Sequence, residues 1–214
     1  YKRQPDIPLD IASLIGCGVM TGAGAALNTA KITPGSSVIV YGAGGVGVAA
    51  IQGARIAGAA EIVAVDLNDA KLDDARRFGA THAVKPEDVD GVKFEITGGD
   101  GFDYALECIG NPLTMRASFD AVRRGGTACI VGVGRMEEMV QFSAFELFFS
   151  EKILVGSYYG GTDVRSDFHK LLRLYKQGKL DLEGMISRRI TIDEINPALE
   201  AVRNGEVIRQ VIEF

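Results

Sequence analysis

Cysteine is scarce in this chain: Cys17, Cys108 and Cys129 are the whole supply, with no CxxC pair among them. Three scattered thiols build neither a disulfide framework nor a structural zinc knuckle, so a reducing, cytoplasmic setting is expected. Positive charge is also short, with 23 Lys+Arg against 28 Asp+Glu and a formal charge of −5. That balance argues against the basic face that phosphate-backbone binding requires, and no nucleic-acid partner is expected. No apolar run reads as approaching the roughly 20 residues that span a bilayer, so no membrane partner is expected either. There is no Trp and there are only two histidines, His82 and His169. No signal peptide is legible: Tyr1-Lys-Arg-Gln-Pro-Asp6 leads straight into sequence with a folded pattern. The missing initiator Met raises the expectation of a piece of a longer chain.

What is present is a chain of 214 residues, 47% hydrophobic, with 27 glycines set singly or in motifs rather than in a linker. Short β-branched runs alternate with helical patterns from Ser37 onward. Expected strands are Ser37–Tyr41, Glu61–Val65, His82–Val84, Phe102–Leu106, Thr127–Val131 and Lys152–Val155, each mostly apolar, as strands covered on both faces are. Between them, helices are expected at Val46–Ala57, Ala70–Phe78, Leu113–Val122 and, more weakly patterned, Phe142–Phe149. That spacing means crossover connections and an α/β fold: a doubly wound parallel sheet with helices on both faces. Leu9–Thr29, rich in Ala, Gly and Leu, reads as two closely packed helices. Asp167–Gln177 reads as an amphipathic helix stopped by Gly178, and Asp193 as the N-cap of a helix running to Asn204. A strand at Val207–Ile212 closes the chain.

The strongest motif is Gly42-Ala43-Gly44-Gly45-Val46-Gly47, directly after one expected strand and opening a helix. Gly42 permits a tight turn, Gly44 lets backbone approach a pyrophosphate, and Gly47 lets the helix pack closely on the strand. The helix start, from Gly45 and Val46 onward, offers free N–H groups and a positive dipole end. Gly22-Ala23-Gly24 has the same opening but no preceding strand, and reads as close helix packing. The second strand ends in Asp66, where a carboxylate can accept from both ribose hydroxyls and repel a 2′-phosphate, favouring NAD over NADP. The alternative is that Asp66 only caps the next helix. Lys71 lies one turn into that helix and can reach the same ribose; a solvated first-turn lysine is the other reading. Together these features specify a Rossmann dinucleotide-binding fold.

Several stretches then carry a resemblance to the zinc-dependent, medium-chain alcohol dehydrogenases across nearly the whole chain. They are Cys17-Gly-Val-Met-Thr21-Gly-Ala-Gly-Ala, Asn28-Thr-Ala-Lys31, the glycine loop, Val65-Asp66-Leu-Asn, Phe78-Gly-Ala-Thr81, Ala105-Leu-Glu-Cys-Ile-Gly110, Gly132-Val-Gly134, Ile190-Thr-Ile-Asp-Glu-Ile-Asn196 and Gly205-Glu-Val-Ile-Arg209. The last third is similar to the branch that includes class III, formaldehyde-processing enzymes. The resemblance implies NAD as cofactor, a catalytic Zn²⁺, and an alcohol or aldehyde as substrate. It implies that Cys17 is a ligand of that zinc, although a cysteine in a small-residue helix is by itself more often packed in a core. Thr21 and Val46 match positions near the nicotinamide, and Ile109, Gly110 and Val133 match the cofactor cleft. Arg209 matches a residue that pairs with the pyrophosphate; without the resemblance it reads as a surface arginine.

The implied organisation is a remnant of a catalytic domain or linker over residues 1–16, an NAD-binding domain over 17–158, and a C-terminal return to the catalytic domain over 159–214. The other zinc ligands of the family, a Cys and a His with a nearby Glu, have no counterpart here, and the four-cysteine structural zinc site of many members is missing too. The chain is therefore expected to bind dinucleotide but not to turn over alcohol by itself. Cys108 and Cys129 read as buried residues on or beside core strands. Family members pair through the last strand of the sheet, so a homodimer or homotetramer through residues 152–157 is expected, an apolar edge strand being a natural pairing surface. Competing readings are a polyol or sugar dehydrogenase, a quinone reductase relative, a non-catalytic NAD-binding module, and a methyltransferase.

Overall fold

The computed structural model describes residues 7–214; the opening Tyr1–Asp6, read above as leading into folded sequence, lies outside the described residues. Six strands form one parallel sheet: β1 (Ser37–Tyr41), β2 (Glu61–Val65), β3 (His82–Val84), β4 (Phe102–Glu107), β5 (Val122–Ile130) and β6 (Ile153–Gly156), in the order β3-β2-β1-β4-β5-β6. Each parallel step needs a crossover. The crossovers are helices at Gly45–Ala57, Asp69–Phe78, Val89–Thr97, Pro112–Ala121 and Ala144–Ser150.

The period-2 alternation of β1 explains why its sequence is apolar throughout. Val38 and Val40 join the cluster on one face, with Ala50, Ile51 and Leu72. Ile39 and Tyr41 join the other, with Phe102 and Phe119. Both faces are covered, so no polar stripe is tolerated. A second, two-stranded parallel sheet pairs Ile186–Ile190 (β7) with Arg209–Ile212 (β8).

Several elements differ from the sequence-based expectation. Leu9–Thr29 is one 21-residue helix, α1, not two. Two wide turns, at Ile15–Val19 and Ala25–Thr29, interrupt its regular hydrogen bonding without breaking it. By length and composition α1 is long and apolar enough to cross a membrane, contrary to the sequence reading. Its apolar residues Ile11, Ile15, Val19, Met20 and Ala23 are instead buried in the protein core.

Strand β5 begins at Val122, earlier than expected, through an irregular register opposite Phe102–Tyr104. The helix Val89–Thr97 and strand β7 were not anticipated; the first has one buried residue, Val92, and the second is largely exposed, so neither shows a strong periodic signal. The C-terminal helix is Ile195–Arg203, and its entry is capped by Thr191 with Glu194 in a reciprocal capping box, not by Asp193.

Candidate functional site

All strands of the large sheet point the same way, so the segments after β1, β2, β4 and β5 meet at one edge. The strand order reverses beside β1, between β2 and β4, and leaves a crevice there.

Gly42 turns the chain at φ +90°, with its N–H donating to the Val65 carbonyl at 2.8 Å. A side chain at Gly47 would overlap the Gly42 carbonyl oxygen, so helix and turn touch only because no Cβ intervenes. Gly44 is different: a Cβ there would meet nothing within 4 Å. Its lack of a side chain answers no need of the protein's own packing and leaves room for a ligand. The helix begins at Gly45 with no side chain capping it, so its first N–H groups have no side-chain acceptor.

Arg209, on β8, comes from more than 160 residues away to the same point. Its guanidinium sits where a Cβ at Gly18 would overlap it, and its Nε would lie 2.6 Å from a Cβ at Gly45. Arg209 makes no ion pair among the described residues. A cation beside the positive end of a helix is unfavourable unless an anion joins them.

Asp66 follows β2 and is half-buried. Its Oδ2 accepts the Ala43 N–H at 2.9 Å and its Oδ1 the Asn68 N–H at 3.0 Å. The cap of the next helix is Asn68, which accepts from the Ala70 N–H at 2.9 Å, so the carboxylate of Asp66 is not the cap. Asp66 and Lys71 line a cleft of about 610 Å³ together with Tyr41, Leu67 and Ile109. Lys71 reaches toward the Gly205 turn, where its Nζ would lie 3.2 Å from an added Cβ.

Ile109 is half exposed over Gly42. Gly110, at φ +89°, packs against the main chain of Val133, whose own side chain is 92% exposed.

Sequence reasoning missed Glu107. This carboxylate is fully buried and accepts the N–H groups of Ile109 at 3.0 Å and Gly110 at 2.9 Å, and the Thr114 hydroxyl at 2.7 Å. It fixes the loop that carries Ile109. The legible signal was a charged residue ending an apolar strand.

Thr21 and Val46 are half-buried on packed helices: a Cβ at the neighbouring Gly22 would overlap the Val46 carbonyl. Gly24 likewise approaches the Gly160 backbone, so the Gly22-Ala23-Gly24 stretch is close helix packing.

Cys17 is exposed at the middle of the first wide turn of α1, not packed in the core. It lines a second cleft, about 330 Å³, with Gly18, Arg209 and Gln210. Among the described residues, no group of three or more His, Cys, Asp or Glu side chains is arranged to hold a metal ion. His82 lies 3.6 Å from Glu61 and 3.0 Å from the Thr81 hydroxyl, and His169 packs its ring edge-on to Phe168. Among the described residues, Cys17 has no companion donors placed to form a metal site with it. Burial pushes the Cys108 thiol well up and the Cys129 thiol up to about 12, which fits inert core residues.

Comparison with known proteins agrees with this geometry. The sequence profile described as zinc-binding dehydrogenase matches residues 45–177. The chain is 39% identical to alcohol dehydrogenase class-3 of Cereibacter sphaeroides, over 100% of this chain and 59% of that protein. It is also 39% identical to S-(hydroxymethyl)glutathione dehydrogenase of Escherichia coli, over 100% of this chain and 58% of that protein. Among solved structures, benzyl alcohol dehydrogenase from Acinetobacter calcoaceticus matches with a TM-score of 0.94 at 33% identity, covering 100% of this chain and 59% of that one. The chain thus spans less than two thirds of the length of these relatives.

Proposed function

The chain belongs to the zinc-binding dehydrogenase family, and from that premise we propose that it is the cofactor-binding part of an NAD-dependent alcohol dehydrogenase. One observation carries the reading: the Arg209 guanidinium, with no ion pair among the described residues, lies against Gly45 at the uncapped start of the Gly45–Ala57 helix, next to the open position of Gly44. Two positive elements brought together without an anion fit a pyrophosphate, and Gly44 leaves its approach clear. Asp66 would then accept from the adenine-side ribose, its charge disfavouring a 2′-phosphate, with Lys71 close by. Ile109, Gly110 and the main chain of Val133 would line the cleft beyond the loop, and Thr21 and Val46 would border the nicotinamide half.

The reaction class is hydride transfer between an alcohol or aldehyde and the nicotinamide. This chain's share is to bind the cofactor, hold its ring in one orientation and exclude water around it. A zinc ion bound in part by the Cys17 thiolate would supply Lewis-acid polarisation of the substrate oxygen, with its remaining ligands from outside the described residues. In this assignment residues 17–158 form the NAD-binding domain and 159–214 return toward a catalytic domain of which 1–16 are a remnant. The protein would work as a homodimer or homotetramer paired through the strand near 152–157. Three unpaired cysteines suit a cytoplasmic location.

The decisive experiment titrates the chain with NADH, NADPH and S-adenosylmethionine, followed by calorimetry or by NADH's own fluorescence, since the chain has no Trp. NADH is expected to bind at least about tenfold tighter than NADPH, and Asp66→Ala to weaken NADH by about tenfold, the scale of a charged hydrogen bond. Binding of S-adenosylmethionine in place of NADH would sink the dehydrogenase reading.

A further inference from the structure

The large cleft is lined by more polar groups than the ribose role uses, and most of them are already satisfied. Asp120 is held by Arg116 at 2.6 Å and Asp90 by Lys93 at 2.6 Å. The Thr114 hydroxyl is given to Glu107 at 2.7 Å, and Asp66 accepts two backbone N–H groups. Lys71 makes no ion pair or hydrogen bond among the described residues and lies beside Gly205.

Tyr41 is the exception deep inside. It is the last residue of β1 and only 6% exposed, its ring packed among Ile39, Val65 and Phe119 on the sheet face. It lines the cleft, yet its hydroxyl makes no hydrogen bond among the described residues. Burial, with the negative charges of Asp120 and Asp90, pushes the phenol far above its usual range, so it remains an O–H that can both donate and accept. The hydroxyl oxygen is not sealed from solvent: it opens onto the cleft with no protein partner among the described residues, where a ligand atom can complete it.

The connectivity of a dinucleotide says which part arrives there. With the pyrophosphate at Gly44 and Arg209 and the first ribose at Asp66, the attached base extends past Asp66 into this cleft. Its mouth is bordered by Leu67, Ile109 and Leu113, which are 77%, 51% and 79% exposed and offer apolar surfaces to a flat ring. We infer that the Tyr41 hydroxyl is a specificity-determining contact that hydrogen-bonds the polar edge of the purine base at the floor of this cleft. The inference rests on the dinucleotide reading above and adds to it the group that recognises the base.

The test uses Tyr41→Phe, which keeps the ring and its packing and removes only the hydroxyl; a thermal melt verifies that the fold is kept. NADH, ADP-ribose and reduced nicotinamide mononucleotide are titrated against both proteins, the weaker ligands as competitors of NADH. NADH and ADP-ribose, which carry the base, are expected to bind about fivefold more weakly to the variant, the scale of one neutral hydrogen bond. The mononucleotide, which lacks the base, is expected to bind both proteins alike. Unchanged ADP-ribose binding by Tyr41→Phe would overturn the inference and leave the dinucleotide reading standing. Equal weakening of all three ligands would also overturn it, by showing a purely structural role. If the unaltered chain bound none of the three, the dinucleotide reading itself would fall and this inference with it.

Discussion

Two glycines three positions apart illustrate how differently one residue type can be required. A methyl group at Gly47 would overlap the Gly42 carbonyl, so the backbone of the turn must move. Gly47→Ala is expected to destabilise the fold by about 3 kcal/mol, the upper range for overpacking, read by urea unfolding. At Gly44 the same methyl group would meet only open space, and φ is −76°, which alanine adopts freely. Gly44→Ala should therefore leave stability within about 0.5 kcal/mol while weakening NADH binding by at least about tenfold. A Gly44→Ala protein that bound NADH normally would mean the ligand does not approach there. These roles were legible in the sequence because spacing within one turn fixes local geometry. The role of Glu107 was not, because its partners Ile109 and Gly110 lie in a loop whose curl only the fold reveals.

At the level of elements, Asp103 joins three strands. It accepts from the Ser37 N–H at 2.8 Å and the Ser37 hydroxyl at 3.0 Å on β1, and pairs with Arg123 on β5 at 2.7 Å. Burial alone would raise its pKa, but the bonds from Ser37 and Arg123 outweigh that and hold it below the usual carboxylate value. A carboxylate depressed in the folded state stabilises fully above its unfolded pKa of about 3.9, and that contribution is lost as pH falls through the lower folded value. Asp103→Asn is thus expected to cost about 1–2 kcal/mol at pH 7 and to lose less than the parent on going to pH 3. Urea unfolding at both pH values measures this; an equal acid loss in both proteins would contradict it. Sheet elements were read well from sequence because each core strand is continuously apolar. Helix α1 is one helix where two were expected, while Gly22 and Gly24 press against Ala49 and Gly160, the close packing that stretch was expected to make.

For the molecule as a whole, the C-terminal segment folds back on the start of the described chain. Arg189 on β7 meets Asp10 on α1 at 2.7 Å, and Arg209 on β8 fits against Gly18 of the same helix. Strand β6 is the outer strand of the sheet, with Ile153 54% and Leu154 41% exposed and no strand beyond it among the described residues. If this edge joins two copies, Leu154→Lys should shift the protein from dimer to monomer in sedimentation, because a charge on an edge strand blocks pairing. Monomers before the substitution would remove the proposed assembly. The sequence by itself determined the alternating α/β order, the glycine turn and the acid after β2, because these depend on residues close together along the chain. Only the tertiary structure brought Arg209 to the glycine loop, exposed Cys17 beside it and left the Tyr41 hydroxyl unpaired in a cleft. Those outcomes depend on contacts between segments far apart in the chain, which local patterns of hydrophobicity and spacing do not encode.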